Sequence, residues 1–182
     1  MGISVAVALL LSAAFSTAVR VPGRVEVVAD LWPLLPVIPA GVLLNACYYL
    51  GDDLERISVR SMAERKVGHV ALSVVAIATL IALSPPGVNP SVACRNSCFL
   101  VGQGYALSGL VPRTWAMLIQ VLTPAVMWLI GTQSPGIPPS SWAFLVHDSG
   151  STAAAVAALT LLVCGLGVFL VKGPGSMAPR GQ

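Results

Sequence analysis

Two pairs of residues carry side chains that could bind a metal ion or form a covalent bond. Cys94 and Cys98 have C-x-x-x-C spacing, which places both thiols on one face of a helix. They could form a disulfide or half of a metal site, but no second pair of ligands accompanies them, so a structural role is favoured. Asp52 and Asp53 could bind a divalent cation. Capping of a helix start is the simpler role for them, since no second acidic cluster follows.

The remaining titratable pair is His147-Asp148, which suits a proton site but is more typical of a solvated loop. His69 is predicted on the opposite side of the membrane from His147, so the two rings cannot act together. The sequence contains no H-E-x-x-H, G-x-S-x-G or G-x-x-x-x-G-K-[ST] motif. These absences predict a protein that is not an enzyme, with no metal and no cofactor. Because the chain has no P-loop, any function driven by ATP hydrolysis would need a separate ATPase subunit.

The amino-acid composition indicates that most of the chain is surrounded by lipid rather than water. Of 182 residues, 56% are hydrophobic and only 9% are charged, against about 25% charged in a typical soluble domain. So few charges cannot cover the surface of a soluble globule of this size. The composition excludes a soluble enzyme, a nucleic-acid partner and a disordered chain. It predicts an integral membrane protein whose main partner is the lipid bilayer.

Apolar runs separated by short polar segments fill the chain. At about 20 residues per span they predict one all-α domain, a polytopic bundle of about six transmembrane helices. The first run lacks the basic residues of a signal peptide, so a span is favoured there. The fourth apolar run is the weakest candidate for a span. Pro33, Pro36 and Pro39 predict an irregular start to the second span. The predicted spans are 3–19, 31–50, 67–84, 96–111, 115–130 and 152–171.

Three polar residues lie inside the predicted spans: Asn45, Gln103 and Gln120. In a bilayer each needs a partner on a neighbouring helix or a wet cavity. Hydrogen bonds between helices are favoured, and a polar path for a substrate is the alternative. Small residues let helices approach closely in lipid. Two pairs of them, each four positions apart, therefore predict close contacts between helices: Gly102 with Ala106, and Ala154 with Ala158.

Nearly half of the charges lie between residues 52 and 66. This segment is predicted as a short amphipathic helix beside the membrane, with a docking surface for a cytoplasmic partner. The residues of that surface are Leu54, Arg56, Ile57, Arg60, Ser61 and Met62. With six spans, seven Lys and Arg residues lie on the side of this segment and three on the other. The excess predicts a cell-membrane protein with both termini in the cytoplasm.

Two stretches together resemble a known family. One is the charged turn Asp53 to Arg60, and the other is Arg95-Asn96, followed by Pro112 to Trp115, Pro124 and Trp142. Their order resembles the six-helix permease subunits of bacterial ATP-binding-cassette exporters. The resemblance implies a permease that docks a separate ATPase through the helix between spans two and three. The hypothesis that follows is a homodimer that exports a small molecule or a peptide. It also implies an outer re-entrant segment before the last span. The alternative is a non-transporting scaffold, sensor or immunity-type protein.

Overall fold

The computed structural model describes residues 18–20, 28–53, 59–82, 89–132 and 139–172, with the backbone alone for 18–20, 28–30, 49–53 and 59–63. Five α-helices lie in these ranges: α1 Val37–Asp53, α2 Val59–Ala82, α3 Pro90–Leu110, α4 Arg113–Gly131 and α5 Thr152–Lys172. Short 3-10 helices cover Trp32–Leu34 and Phe144–Val146. Two three-residue strands, β1 Ala18–Arg20 and β2 Val28–Asp30, pair antiparallel. The helical bundle agrees with the predicted class, and the strand pair is an addition to it.

Three of the helices are long and apolar enough to cross a membrane. They are Glu64–Ala82 within α2, the whole of α4, and the whole of α5. They agree with predicted spans three, five and six. The predicted second span forms a shorter apolar stretch, Trp32–Tyr48, and the first lies outside the described residues. The described part therefore gives a membrane protein with three candidate spans and does not establish six.

Prolines set the irregular entry to α1. Pro33 lies in the 3-10 helix, and the regular α-helix begins only at Val37, after Pro36. A proline removes one backbone donor and restricts the residue before it, which delays regular helix formation. At α3, by contrast, Pro90 takes the favourable first position, and the Asn89 side chain accepts a hydrogen bond from Ser91 N at 3.0 Å.

The helices run alternately up and down, so their ends form two groups. The ends of α1, α3 and α5 and the starts of α2 and α4 form what we name the charged end. Lys66 Nζ donates to Leu170 O at 2.7 Å, and Arg113 donates to Asn45 Oδ1 at 2.7 Å. The opposite end, named the loop end, carries both 3-10 helices, where Trp128 packs against Leu31, Leu34 and Val146.

The helix α3 lies at the centre and contacts each of the other four helices. It was predicted as the weakest span, yet most of its residues from Ala93 to Gly109 are buried. Its closest neighbour is α5, where a side chain on Gly165 would collide with the backbone oxygen of Gly102. The predicted small-residue contact is therefore present: Gly102 meets α5 directly, and Ala154 and Ala158 are buried.

Candidate functional site

Two glutamines link α3 to α4 in the middle of the bundle. Gln103 Nε2 donates to Ile119 O at 3.2 Å and to Thr123 Oγ1 at 3.1 Å. In return, Gln120 Nε2 donates to Leu100 O at 2.9 Å. Pro124 follows Gln120 by four positions and cannot donate to its backbone carbonyl, so the α4 ladder is interrupted here. We name this reciprocal pair the glutamine clasp.

The clasp uses only one end of each amide. Within the described part of the chain, Gln103 Oε1 and Gln120 Oε1 are buried and have no hydrogen-bond partner from the protein. Gln120 Oε1 faces Gly104, where α1, α3 and α4 meet. The third residue of the predicted polar path, Asn45, lies apart from the clasp and binds Arg113 at the charged end. The structure thus brings Gln103 and Gln120 together and leaves Asn45 out.

A second polar group, the histidine cluster, joins α1, α2 and α3. His69 Nε2 lies 3.0 Å from Leu43 O and 2.7 Å from Cys47 Sγ. Ser73 Oγ donates to His69 O at 2.9 Å and is hydrogen-bonded to the Tyr105 hydroxyl. The rings of Tyr105 and Phe169 meet His69 edge to face, with centroids 5.8 and 5.7 Å away.

The geometry fixes what His69 can do. A carbonyl oxygen can only accept, so the bond to Leu43 O requires the proton on Nε2. Cys47 Sγ then shares that donor, and Nε2 cannot take a proton from the thiol. A cysteine beside a histidine can mark an activated nucleophile, but in this tautomer the pair is a hydrogen-bonded contact between α1 and α2.

A third group, the loop clamp, holds the segment before α5. Arg95 donates to Asp148 O at 2.8 Å and to His147 O at 2.7 Å, while Asn96 Nδ2 donates to Leu145 O at 2.8 Å. Arg95 is buried, and its guanidinium is satisfied by these carbonyls, of which Asp148 O also accepts from Ser151 N at 3.2 Å.

Of the remaining predicted residues, those that the structure describes lie at the charged end. Leu54, Arg56 and Ile57 are outside the described residues. Arg60, Ser61 and Met62 lie in the first turn of α2, which continues into the span as one helix, whereas a separate short helix was expected. The docking surface itself stays a prediction. Asp52 and Asp53 end α1, so the expected role at a helix start is wrong.

Sequence reasoning missed the histidine cluster. His69 lies near the start of the predicted span 67–84, and its ring is only 5% exposed. The available signal was the pair His69 and Ser73, four apart on one helix face. Nothing in the sequence showed that Cys47 and Tyr105 would meet them, because those contacts span 22 and 32 positions.

The glutamine clasp and the histidine cluster join one helix to another, and the loop clamp joins α3 to the segment before α5. Cys94 and Cys98 are free thiols, each partly buried. Over the described ranges, no three side chains of His, Cys, Asp and Glu come together in a way that could hold a metal ion. The comparisons add no further constraint: the chain matches no protein-family model, no curated protein and no solved structure.

Proposed function

We propose that this chain is the membrane subunit of an ATP-driven exporter and works with a separate ATPase subunit. The observation that carries the proposal is the continuity of α2. Residues 59–66, from the charged segment, and the candidate span Glu64–Ala82 belong to one uninterrupted helix. A partner bound at the start of such a helix would move the span directly, since an α-helix transmits displacement along its axis.

The loose packing of α2 supports this role. Only 11% of its span is buried, against 33% for α4 and 22% for α5. Polar bonds near its start tie it to the bundle: Lys66 to α5, His69 to α1, and Ser73 to Tyr105 of α3. Farther along the span, partly buried side chains such as Ile77, Leu80 and Ile81 pack against the bundle. A span with so few fully buried residues can pivot at lower energetic cost than one buried along its whole length.

The distribution of charge supports a cytoplasmic partner at this end. Arg65, Lys66, Arg113 and Lys172 all lie at the charged end, together with Arg60 in the first turn of α2. Arg95 lies at the loop end. An excess of Lys and Arg marks the cytoplasmic side of a bilayer. The proposal therefore places the charged end, with both chain termini, in the cytoplasm of a six-span permease that works as a homodimer.

Purification from the native membrane tests this proposal. We expect a P-loop ATPase to co-purify with the wild-type chain and with the control Ser149→Asp, whose position is exposed at the loop end. Met62→Asp and Ile57→Asp should lose it, because a carboxylate would disrupt an apolar docking contact. Mass spectrometry of the purified complexes gives the readout. A wild-type chain that purifies alone would contradict the proposal.

A second candidate, a non-transporting membrane scaffold, is favoured by the polar contacts themselves. Gln103 and Gln120 bind helix to helix, and Asn45 binds Arg113. Such contacts stabilise a bundle without offering a route through it. Deletion of the gene separates the two functions. Lost efflux of a substrate supports the exporter, whereas unchanged efflux with altered assembly of another membrane component supports the scaffold.

A further inference from the structure

Cys94 and Cys98 form a pair of thiols on one face of α3. Both cysteines are free and half-buried, and the Cys98 thiol is hydrogen-bonded to the Cys94 thiol. They lie near the start of the helix, which begins at Pro90 at the loop end of the bundle. Neither belongs to the glutamine clasp, the histidine cluster or the loop clamp. We name them the thiol pair.

The helix holds the two sulfur atoms close together but does not suit a bond between them. Cβ atoms four positions apart on a helix are about 5–6 Å apart, whereas a disulfide needs about 3.5–4.5 Å between them. Closing that gap would distort the backbone of α3, which contacts each of the other four helices. An ion placed between the sulfurs removes this conflict, because the two sulfurs then need not bond to each other. The thiol pair therefore suits a bridged ion better than a disulfide.

The number and type of the ligands select the ion. Cysteine thiolates bind soft metals, among them Cu(I) and Zn²⁺. A zinc site takes four ligands, and over the described ranges no third His, Cys, Asp or Glu side chain joins the pair. Cu(I) is satisfied by two thiolates in a nearly linear arrangement. Of these two ions, Cu(I) is the one that two sulfurs on one helix face can hold.

The thiol pair can be reached from the loop end. Ser91, Cys94 and Cys98 follow one another on one helix face at i, i+3 and i+7. Ser91 is exposed and the two cysteines are half-buried, so this face leads from the surface to the sulfurs. Binding of a metal releases the protons of both thiols, so a Cu(I) ion held by the pair leaves one net negative charge. Arg95, the residue after Cys94, carries the opposite charge at the same end of the bundle.

We propose that Cys94 and Cys98 bind one Cu(I) ion per chain, with both sulfurs supplied by the same helix. Two S–H bonds break and two Cu–S bonds form, the two protons pass to water, and the oxidation state of copper does not change. The site is independent of the exporter function proposed above, since it requires neither an ATPase nor movement of copper across the membrane.

Copper binding by the full chain in detergent tests the site. Cu(I) is supplied without oxygen, in competition with the chelator bicinchoninate, and gel filtration monitors folding. We expect one Cu(I) per chain for the wild type and for two controls, Cys47→Ser in the histidine cluster and Cys164→Ser at the exposed thiol of α5. Cys94→Ser and Cys98→Ser should each bind about 100-fold more weakly, because a single sulfur loses the advantage of two linked ligands. X-ray absorption of the wild-type complex should show two sulfur neighbours around copper.

Other results would overturn the proposal. A wild-type chain that binds no Cu(I), or Cys94→Ser and Cys98→Ser chains that bind it as tightly as the wild type, would remove the site. Binding lost only in Cys47→Ser would assign the ion to the histidine cluster. Binding recovered on mixing Cys94→Ser with Cys98→Ser chains would assign it to a contact between two copies. A disulfide between Cys94 and Cys98, found by peptide mass spectrometry of protein purified without reductant, would contradict the argument from helix geometry.

Discussion

The helices α3 and α5 are the same length and lie against each other, yet their surroundings are opposite. The most apolar helix, α5, buries only Ala154, Ala158, Gly165 and Phe169 and exposes most of its other side chains. The more polar α3 is buried along most of its length. In a bilayer, the apolar character of a side chain marks contact with lipid, whereas polar side chains concentrate where other helices enclose them. A hydropathy profile therefore identifies the outside of this bundle better than its centre.

The largest expected effect is at the crossing of these two helices. Gly165→Leu places a side chain against the backbone of Gly102, and backbone cannot move aside as a side chain can. We expect a loss of about 3 kcal/mol or more in the free energy of unfolding, at the upper end of overpacking effects. Denaturation by SDS in mixed micelles measures it.

Gly167→Leu is the matched control, because nothing lies within 4 Å of a side chain added at that position. It should change the unfolding free energy by less than about 0.5 kcal/mol. Equal effects from the two variants would show that α5 does not meet α3 at Gly165.

A smaller loss is expected from Arg95→Leu. This change removes the Arg95 donor from the carbonyls of His147 and Asp148, of which Asp148 O keeps the bond from Ser151 N. Hydrogen bonds to a charged group contribute about 1.5–3 kcal/mol each, and part of the loss should be recovered as water reaches the carbonyls. We expect a loss of about 2 kcal/mol and faster proteolysis between residues 139 and 151. Ser91→Ala, at the exposed start of α3, is the control. Unchanged proteolysis would mean that the loop clamp does not hold this segment.

The glutamine clasp should contribute less. Hydrogen bonds between membrane helices are worth about 0.6 kcal/mol on average and up to about 1.7. Gln103→Leu and Gln120→Leu should each fall within that range. Because both residues join the same two helices, the double variant should lose less than the sum. An additive double variant would contradict a reciprocal clasp.

The smallest effect is expected on the lipid side of α5. Leu159 is 62% exposed, so Leu159→Ala exchanges one lipid contact for another. Its effect should stay within about 0.5 kcal/mol in the same SDS titration. A larger loss would show that this face is covered by protein, as in a dimer.

The sequence predicted the helices better than their partners. Runs free of charge located α4 and α5 to within a few residues, because span length follows from bilayer thickness. The small pair Ala154 and Ala158 correctly marked a buried face of α5. By contrast, burial of Arg95 depends on carbonyls about 50 positions later in the chain. No local pattern carries that information.

The polar residues inside the spans show the same limit. Gln103 and Gln120 were correctly selected as residues that need partners, since an amide in lipid must be satisfied. Which helix supplied the partner depended on how the bundle assembles. Asn45 had the same signal but lies at the charged end, beside Arg113.

Labelling of the intact protein from within the lipid tests the central claim that α3 is enclosed by the other helices. A carbene-generating apolar reagent in native membranes, followed by peptide mass spectrometry, reports which side chains face lipid. We expect strong labelling at exposed positions of α5, such as Val156, Leu159 and Val163. The buried residues of α3 between Ala93 and Tyr105 should remain unlabelled. Labelling of α3 at the level of α5 would contradict the account.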